Sequence, residues 1–386
     1  MTRTQRRHWR SVIGALVVLA LAATVTTCGP RSKPGNATRP TTPPTSGNDI
    51  VAQARKEVAD AATVPTGWAG PNAAVPAPNG IKVLGIVPCG PYGGCVLNAQ
   101  GAQQAASALG WKTKTIVPTS ASPQQVNAVF RRLIDSRVDA IVWVGFSRTI
   151  LKPSLDMARA AHIPMVSSQV ADGDALDISY GQANAPMEKL GEQVAWWMIA
   201  DSAGNAKVAV LSDDEFLAGV AIDKGLTRVL GRCSGCRILA TKDVTVDRQS
   251  TAAAGETTAL LQRYPDTKYV FCPFNSRPPF IIQGARAAQR PDVKVGTTKS
   301  DSAVLASMKA SNEPRLDVTS SVPELWMGWA MVDQLLRVMA KRPLVDHPMP
   351  IMLRTPDNVD APFFQPLSTS DAIDFKSHFK SLWGVK

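Results

Sequence analysis

From residue 81 onward the chain alternates between two hydrophobic periods. Short runs rich in β-branched residues recur: IKVLGIVP at 81–88, TKTIV at 113–117, VDAIVWV at 138–144, IPMVSS at 163–168, AKVAVLS at 206–212, KYVFC at 268–272 and VKVG at 293–296. They are nearly continuously apolar, as strands buried on both faces of a parallel sheet are. RILATKDV at 237–244 reads as a further strand. Between the runs lie stretches of helical period, the clearest being SPQQVNAVFRRLIDSR: Ser122 suits the N-cap, Pro123 the first turn, and Val126, Val129, Phe130, Leu133 and Ile134 share one face. Strand, helix and strand with short connections predict right-handed parallel crossovers and a doubly wound α/β sheet. The strands are too many for one compact half, which predicts two such sheets.

The first 27 residues follow another logic. MTRTQRRHWR is basic with no acid, and VIGALVVLALAATV is an apolar run of signal-peptide length, short and wrongly flanked for a stable membrane span. Cys28 ends the run and opens a Pro, Thr, Ser and Gly tract, a flexible tether to about residue 47. The arrangement resembles a bacterial lipoprotein signal, which implies lipidation at Cys28 and residence on the outer face of the cytoplasmic membrane. Val25 and Thr26 suit that pattern, whereas Thr27 stands where a smaller residue is usual. An uncleaved signal anchor is the alternative, and Arg6-Arg7 hints at twin-arginine export.

The formal net charge is +11, but Arg3, Arg6, Arg7 and Arg10 belong to the signal and Arg31, Lys33 and Arg39 to the tether. What remains is close to balanced. With no basic run beyond residue 40 and no helix-turn-helix segment before the first strand, nucleic acid is not an expected partner.

Catalytic groups are scarce. Of the four histidines, His8 lies in the signal, and His162, His347 and His378 read as surface or turn residues. Gly145-Phe146-Ser147 begins like a nucleophile elbow, yet Thr149 occupies the place of the second glycine. There is no glycine-rich phosphate fingerprint, and no cofactor is expected. Cysteines say more. In an oxidising compartment Cys89 with Cys95, in CGPYGGC, and Cys233 with Cys236, in CSGC, read first as disulfides. CSGC follows a helix and leads into a strand, whereas redox pairs open a helix, and zinc lacks a second ligand pair. Cys272 reads as a buried free thiol.

GAQQAASALGW, SPQQVNAVFRRLIDSRVDAIVWVG and LDMARAAHIPMVSSQ together resemble the first lobe of the periplasmic sugar-binding proteins of ABC importers, of the ribose-binding type. KVAVLSDDEFLAGVAIDKGL, LLQRYPDTKYVFCPFNSRPPFIIQGARAAQ and VKVGTTKSDS continue it into the second lobe, so that about residues 81 to 355 are covered. PTGWAGP and FKSHFKSLWG are similar to the ends of longer actinobacterial members of this group. The resemblance implies two doubly wound lobes joined by a three-segment hinge, with crossings near Gln182, Ser321 and Ile351. Residues 48–80 would be an extension, 81–181 with 322–350 the first lobe, and 182–321 with 351–386 the second lobe and tail. It implies a non-enzymatic, monomeric protein that takes a small-molecule ligand to a membrane permease. A ligand sensor for a membrane receptor kinase and an exported hydrolase using Ser147 are the readings from other classes.

In doubly wound sheets the ligand meets loops beyond the carboxyl ends of the strands. Those loops offer Tyr92, Phe146, Ser147, Gln169, Asp213, Phe216, Asn275, Arg277 and Thr298, with Ser321 at a crossing. Asp213 also suits an N-cap in SDDEF, and Trp326 is expected to pack at the hinge. Ribose-type binders usually carry an Asp-Arg pair where this chain has Gln169-Val170, an arginine near Val220, and Gly-Phe-Asp where it has Gly296-Thr297-Thr298. Losing charged grips costs little only if the ligand lacks the matching groups, so the expected ligand is less hydroxyl-rich than ribose, or differently arranged.

Overall fold

The apolar runs become the central strands of two sheets in a computed structural model that describes residues 47–80, 82–170, 180–183, 185–310, 313–363 and 373–385. The signal, Cys28 and the tether fall outside these residues. In the first sheet β1 (Val83–Val87), β2 (Lys112–Thr115), β3 (Ala140–Val144), β4 (Met165–Ser168) and β5 (Tyr180–Ala183) run parallel in the order β2-β1-β3-β4-β5. The fully buried strands β3 and β4 sit inside it, and β2, a KTKT strand exposed throughout, guards one edge with lysines.

The second sheet has the order β11-β10-β9-β8-β6-β7. Its strands β6 (Lys207–Ser212), β7 (Arg237–Asp243), β8 (Tyr269–Phe271), β9 (Lys294–Thr298) and β10 (Leu316–Ser321) are parallel, and β11 (Met352–Arg354) returns antiparallel on β10.

The helices are α1 (Gly47–Ala61), α2 (Gly93–Ala108), α3 (Pro123–Asp135), α4 (Arg148–Ala160), α5 (Met187–Asp201), α6 (Leu217–Leu230), α7 (Gln249–Arg263), α8 (Pro278–Ala287), α9 (Ser302–Met308), α10 (Glu324–Met339) and α11 (Phe375–Trp383). Helix α3 starts as its sequence predicts: the Ser122 side chain accepts from the Gln125 amide, and Val126, Val129, Phe130 and Leu133 are buried. The chain passes between sheets after β5, after β10 and between α10 and β11, so α10 returns to pack on α2 and on strands β3 to β5 of the first lobe.

In each lobe a pair of glycines lets two helices meet backbone to backbone. A Cβ at Gly101 would stand 2.2 Å from the Leu325 carbonyl oxygen, and one at Gly328 2.2 Å from that of Asn98, across α2 and α10. Gly191 and Gly225 play the same part between α5 and α6, at 2.0 Å from Ile222 O and 1.9 Å from Glu188 O. These contacts fix α10 on the first lobe and α5 on the second, immediately beyond two of the crossings.

The tail differs from expectation. Helix α11, assigned by sequence to the second lobe, packs on α10 of the first, because Trp326, Trp329, Phe375, Phe379 and Trp383 form one ring cluster. The extension joins it: Trp68 stacks on Trp326 at 4.8 Å and on His378 at 4.5 Å, and the amides of Val75 and Ala77 donate to Leu382 and Trp383 carbonyls. At its other end α1 packs on α5 of the second lobe. Trp326, fully buried, thus packs beside the hinge as its sequence position predicts.

Candidate functional site

A cavity opens between the carboxyl ends of the two sheets. The first lobe lines it with Cys89, Tyr92, Gly94, Cys95, Gly145 and Gln169, and the second with Phe216, Ala218, Val246, Phe274, Asn275, Ser276 and Lys299. Each follows the end of a strand, where a doubly wound sheet leaves its loops free to meet a ligand. Of the residues expected there, Tyr92, Gln169, Phe216 and Asn275 lie on the cavity wall.

The CGPYGGC loop carries β1 into α2. Cys89 and Cys95 are joined, and a chain-entropy estimate for so small a loop is about 2 kcal/mol. The bridge leaves two glycines at the helix start, Gly93 facing the second lobe and Gly94 facing the start of α10. A Cβ at Gly93 would fall 2.0 Å from Asp301 Oδ2, and one at Gly94 3.0 Å from Glu324 Oε1. Tyr92 reaches across as well: its hydroxyl donates to Asp247 Oδ1 at 3.3 Å, and the other oxygen of Asp247 accepts from the Ala121 amide at 3.1 Å. Burial and then the Asp247 charge push the Tyr92 phenol up to about 12, so it stays a donor at neutral pH. Asp247 therefore draws two first-lobe groups to the second lobe at the rim.

Aromatic rings continue the contact inside. The Phe146 ring lies 5.7 Å from that of Phe216 across the lobes, and Phe216 meets Phe274 edge-on at 6.0 Å. Phe146 itself is buried behind the wall. Asn275 and Ser276 supply polar groups next to this apolar surface, held in place by Asp301 and Gln249, each at 2.9 Å.

Among the described residues the one charged side chain on the wall is Lys299, which sequence reasoning missed by stopping at Thr298. It is 4 % exposed and adopts a left-handed φ of 66°, which leaves the end of β9 sharply; Gln169 does the same at 57° after β4. The Lys299 ammonium donates to Gln169 Oε1, stands 4.0 Å from Glu324 Oε1 and lies 5.0 Å above the centre of the Phe274 ring. Glu324, at the start of α10, accepts from Gln169 Nε2 at 2.5 Å and Asn98 Nδ2 at 3.4 Å. Burial pushes the Glu324 carboxyl up to about 7 against the pull of Lys299, and burial lowers Lys299 against Glu324 and Asp213. This cluster ties β4, β9 and α10 together where the chain crosses between lobes.

Other residues expected in the cleft turn away from it. Asp213 and Arg277 are fully buried and pair with each other at 2.8 Å, Arg277 also donating to the Leu211 and Ser212 carbonyls. Asp213 also accepts from the Glu215 and Phe216 amides, which holds the turn before α6; the N-cap itself is Phe216, not Asp213 as its sequence allowed. The Ser147 hydroxyl accepts from the Ile150 amide and caps α4, and Thr298 donates to the Pro273 carbonyl at 2.6 Å. Ser321 is buried, its hydroxyl without a partner among the described residues. His347 is a further correction: it is no surface residue but buried, with Nε2 3.3 Å from Asp333 Oδ2 and its ring stacked on Phe379. Cys233 and Cys236 are joined between α6 and β7, and Cys272 is free and buried, its thiol pushed up to about 11 by burial.

Two parallel α/β lobes whose strand ends face one cleft, with three chain crossings between them, define a two-lobed ligand-binding protein. The chain belongs to the periplasmic binding protein domain family, whose model matches residues 97–343. No curated protein matches it. Among solved structures it is similar to an ABC transporter solute-binding protein from Agrobacterium vitis with bound allitol, at 19 % identity and a TM-score of 0.64, over 72 % of this chain and 97 % of that one. A Thermotoga lettingae protein in complex with 5-methylthioribose is 19 % identical with a TM-score of 0.63, over 78 % and 92 % of the two chains. A Bacillus halodurans protein with bound myo-inositol is 18 % identical with a TM-score of 0.63, over 72 % and 96 %. At such identities the likeness is one of fold, that of the type I periplasmic binding proteins.

Proposed function

We propose that this chain is a solute-binding protein that captures a small sugar, polyol or sugar-like compound between its lobes and delivers it to an ABC importer. The observation that carries the reading is the interlobe cavity, lined from both lobes by rings and by a few oriented polar groups. A site divided in this way favours the closed state when filled, because a ligand touching both walls binds that state better. The family supports the reading, and so do the similar structures, which hold allitol, 5-methylthioribose and myo-inositol in related folds. In this proposal Cys28 carries lipid, residues 28–47 tether the folded part to the outer face of the membrane, and a permease is the partner.

Thermal-shift screening of sugars, polyols and small acids against the folded part tests the proposal. A ligand at about a hundred times its Kd stabilises by about 2.7 kcal/mol, a rise of several degrees in Tm. At least one compound of these classes is expected to give that rise and to be recovered unaltered. Chemical conversion of the bound compound would contradict a transport role.

A further inference from the structure

We propose that Lys299 selects the ligand's acidic group, so that this cleft prefers small polyhydroxy carboxylates, such as sugar acids, over the neutral sugars and polyols of matching skeleton. The proposal rests on the reading of the cleft as the ligand site. Its first support is the distribution of charge: among the described residues every other side chain on the wall is apolar or neutral. Of the acids nearby, Asp213 is engaged with Arg277, Asp301 with Asn275 and the start of α9, and Asp247 with Tyr92 and Ala121, while burial pushes Glu215, next to Phe216, up to about 7.

The second support is an unfilled donor capacity. An ammonium has three N–H groups, and among the described residues that of Lys299 makes one hydrogen bond, to Gln169. Glu324 Oε1 at 4.0 Å is beyond hydrogen-bond reach and has no hydrogen-bond partner of its own among the described residues. A buried charge so loosely compensated gains when an oxygen acceptor arrives, and a carboxylate gives the charge-assisted bond. Beside Lys299 on the second-lobe wall, Phe216 and Phe274 offer an apolar face, and Asn275 and Ser276 offer partners for hydroxyls.

Glu324 lets the site adjust its charge. Its carboxyl faces Lys299 from β9, Asn98 from α2, Gln169 from the end of β4 and, at longer range, Asp301 from the start of α9, while Lys299 also feels Asp213 after β6. With that carboxyl pushed up to about 7, protonation below pH 7 leaves the lysine charge uncancelled for an anion. The preference for acids therefore grows as pH falls from 8 to 6, a range in which the ligand carboxylate stays ionised.

Calorimetric titration of the full chain with matched pairs, gluconate against sorbitol and galacturonate against galactose, tests this at pH 6 and pH 8. The acid of at least one pair is expected to bind ten-fold or more tighter than its neutral partner at pH 6, with a smaller margin at pH 8. Lys299→Met should erase that margin, weakening the acid ten-fold or more relative to its neutral partner. Should that variant fold poorly, Glu324→Gln serves instead, and is expected to give at pH 8 the acid preference of the native chain at pH 6. Tighter binding of the neutral partner, or an acid preference that survives Lys299→Met, overturns the proposal while leaving the cleft as the ligand site. Binding of neither class overturns both.

Discussion

Arg277→Met is expected to destabilise the second lobe by about 3–5 kcal/mol, since it leaves a buried carboxylate without its partner. Asp213 and Arg277 have no exposure, and the guanidinium also serves the Leu211 and Ser212 carbonyls at the end of β6. Burial already raises the Asp213 carboxyl, with Arg277 as the chief opposing influence; the neighbouring Asp223, raised to about 7 by burial, leans on the same charge. Removing that charge forces one or both acids to take up a proton or the loop to open. The consequence reaches the cleft, because Asp213 holds the Phe216 amide and Phe216 lines the cavity. Urea unfolding of the variant checks the stability. The double variant Asp213→Asn, Arg277→Met should recover part of the loss, because the Asp213 charge goes with its partner and only Asp223 is left to take up a proton. A loss below about 1 kcal/mol in the single variant would mean that the pair is better solvated than its burial implies.

Trp326→Ala should cost about 3–5 kcal/mol, the range for truncating a fully buried large ring. Its effect should spread further than a cavity usually does. Trp326 lies between Trp68 at 4.8 Å and Phe375 at 5.5 Å, so its ring joins the extension, α10 and the tail. The extension continues to α1 on the second lobe, and residues 47–80 therefore bridge both lobes beside the three crossings. Limited proteolysis with and without the substitution is the check, with cleavage expected to accelerate within 62–80 and at the start of α11 before it does in either sheet. Uniform acceleration throughout the first lobe would make Trp326 an ordinary core residue with no special hold on the termini.

What could be read from sequence follows from how each element meets its needs. Strands β1, β3, β4, β6, β8 and β9 were legible because parallel strands buried on both faces must be apolar along their length. β10 escaped notice although it is buried throughout, since its LDVTSS spends polar side chains on partners far away in sequence: Thr319 on the Lys299 carbonyl and Ser320 on Gln193. β5 and β11, of four and three residues, carry too little pattern to be seen. In the cleft the rule of loops beyond strand ends brought out Tyr92, Gln169, Phe216 and Asn275, but it could not tell which way a charged side chain turns. Asp213 and Arg277 sit 64 residues apart and satisfy each other beneath the wall, while Lys299, one residue past the last position considered, turns into it. The signal for Lys299 was a lysine placed directly after a buried strand, in TTKSDS, one residue past Thr298, where a sugar-binding pattern has an acid. The tail went to the wrong lobe because ring stacking between distant segments has no local signature.

The central claim is that one small molecule is held by both lobes at once. Hydrogen–deuterium exchange of the full chain, with and without the tightest compound from the sugar, polyol and acid panel, tests it most directly. Binding should slow exchange together around 89–95, 145–147 and 169 in the first lobe and around 213–218, 273–277 and 299 in the second. Protection confined to one lobe, or lying away from these loops, would contradict the account.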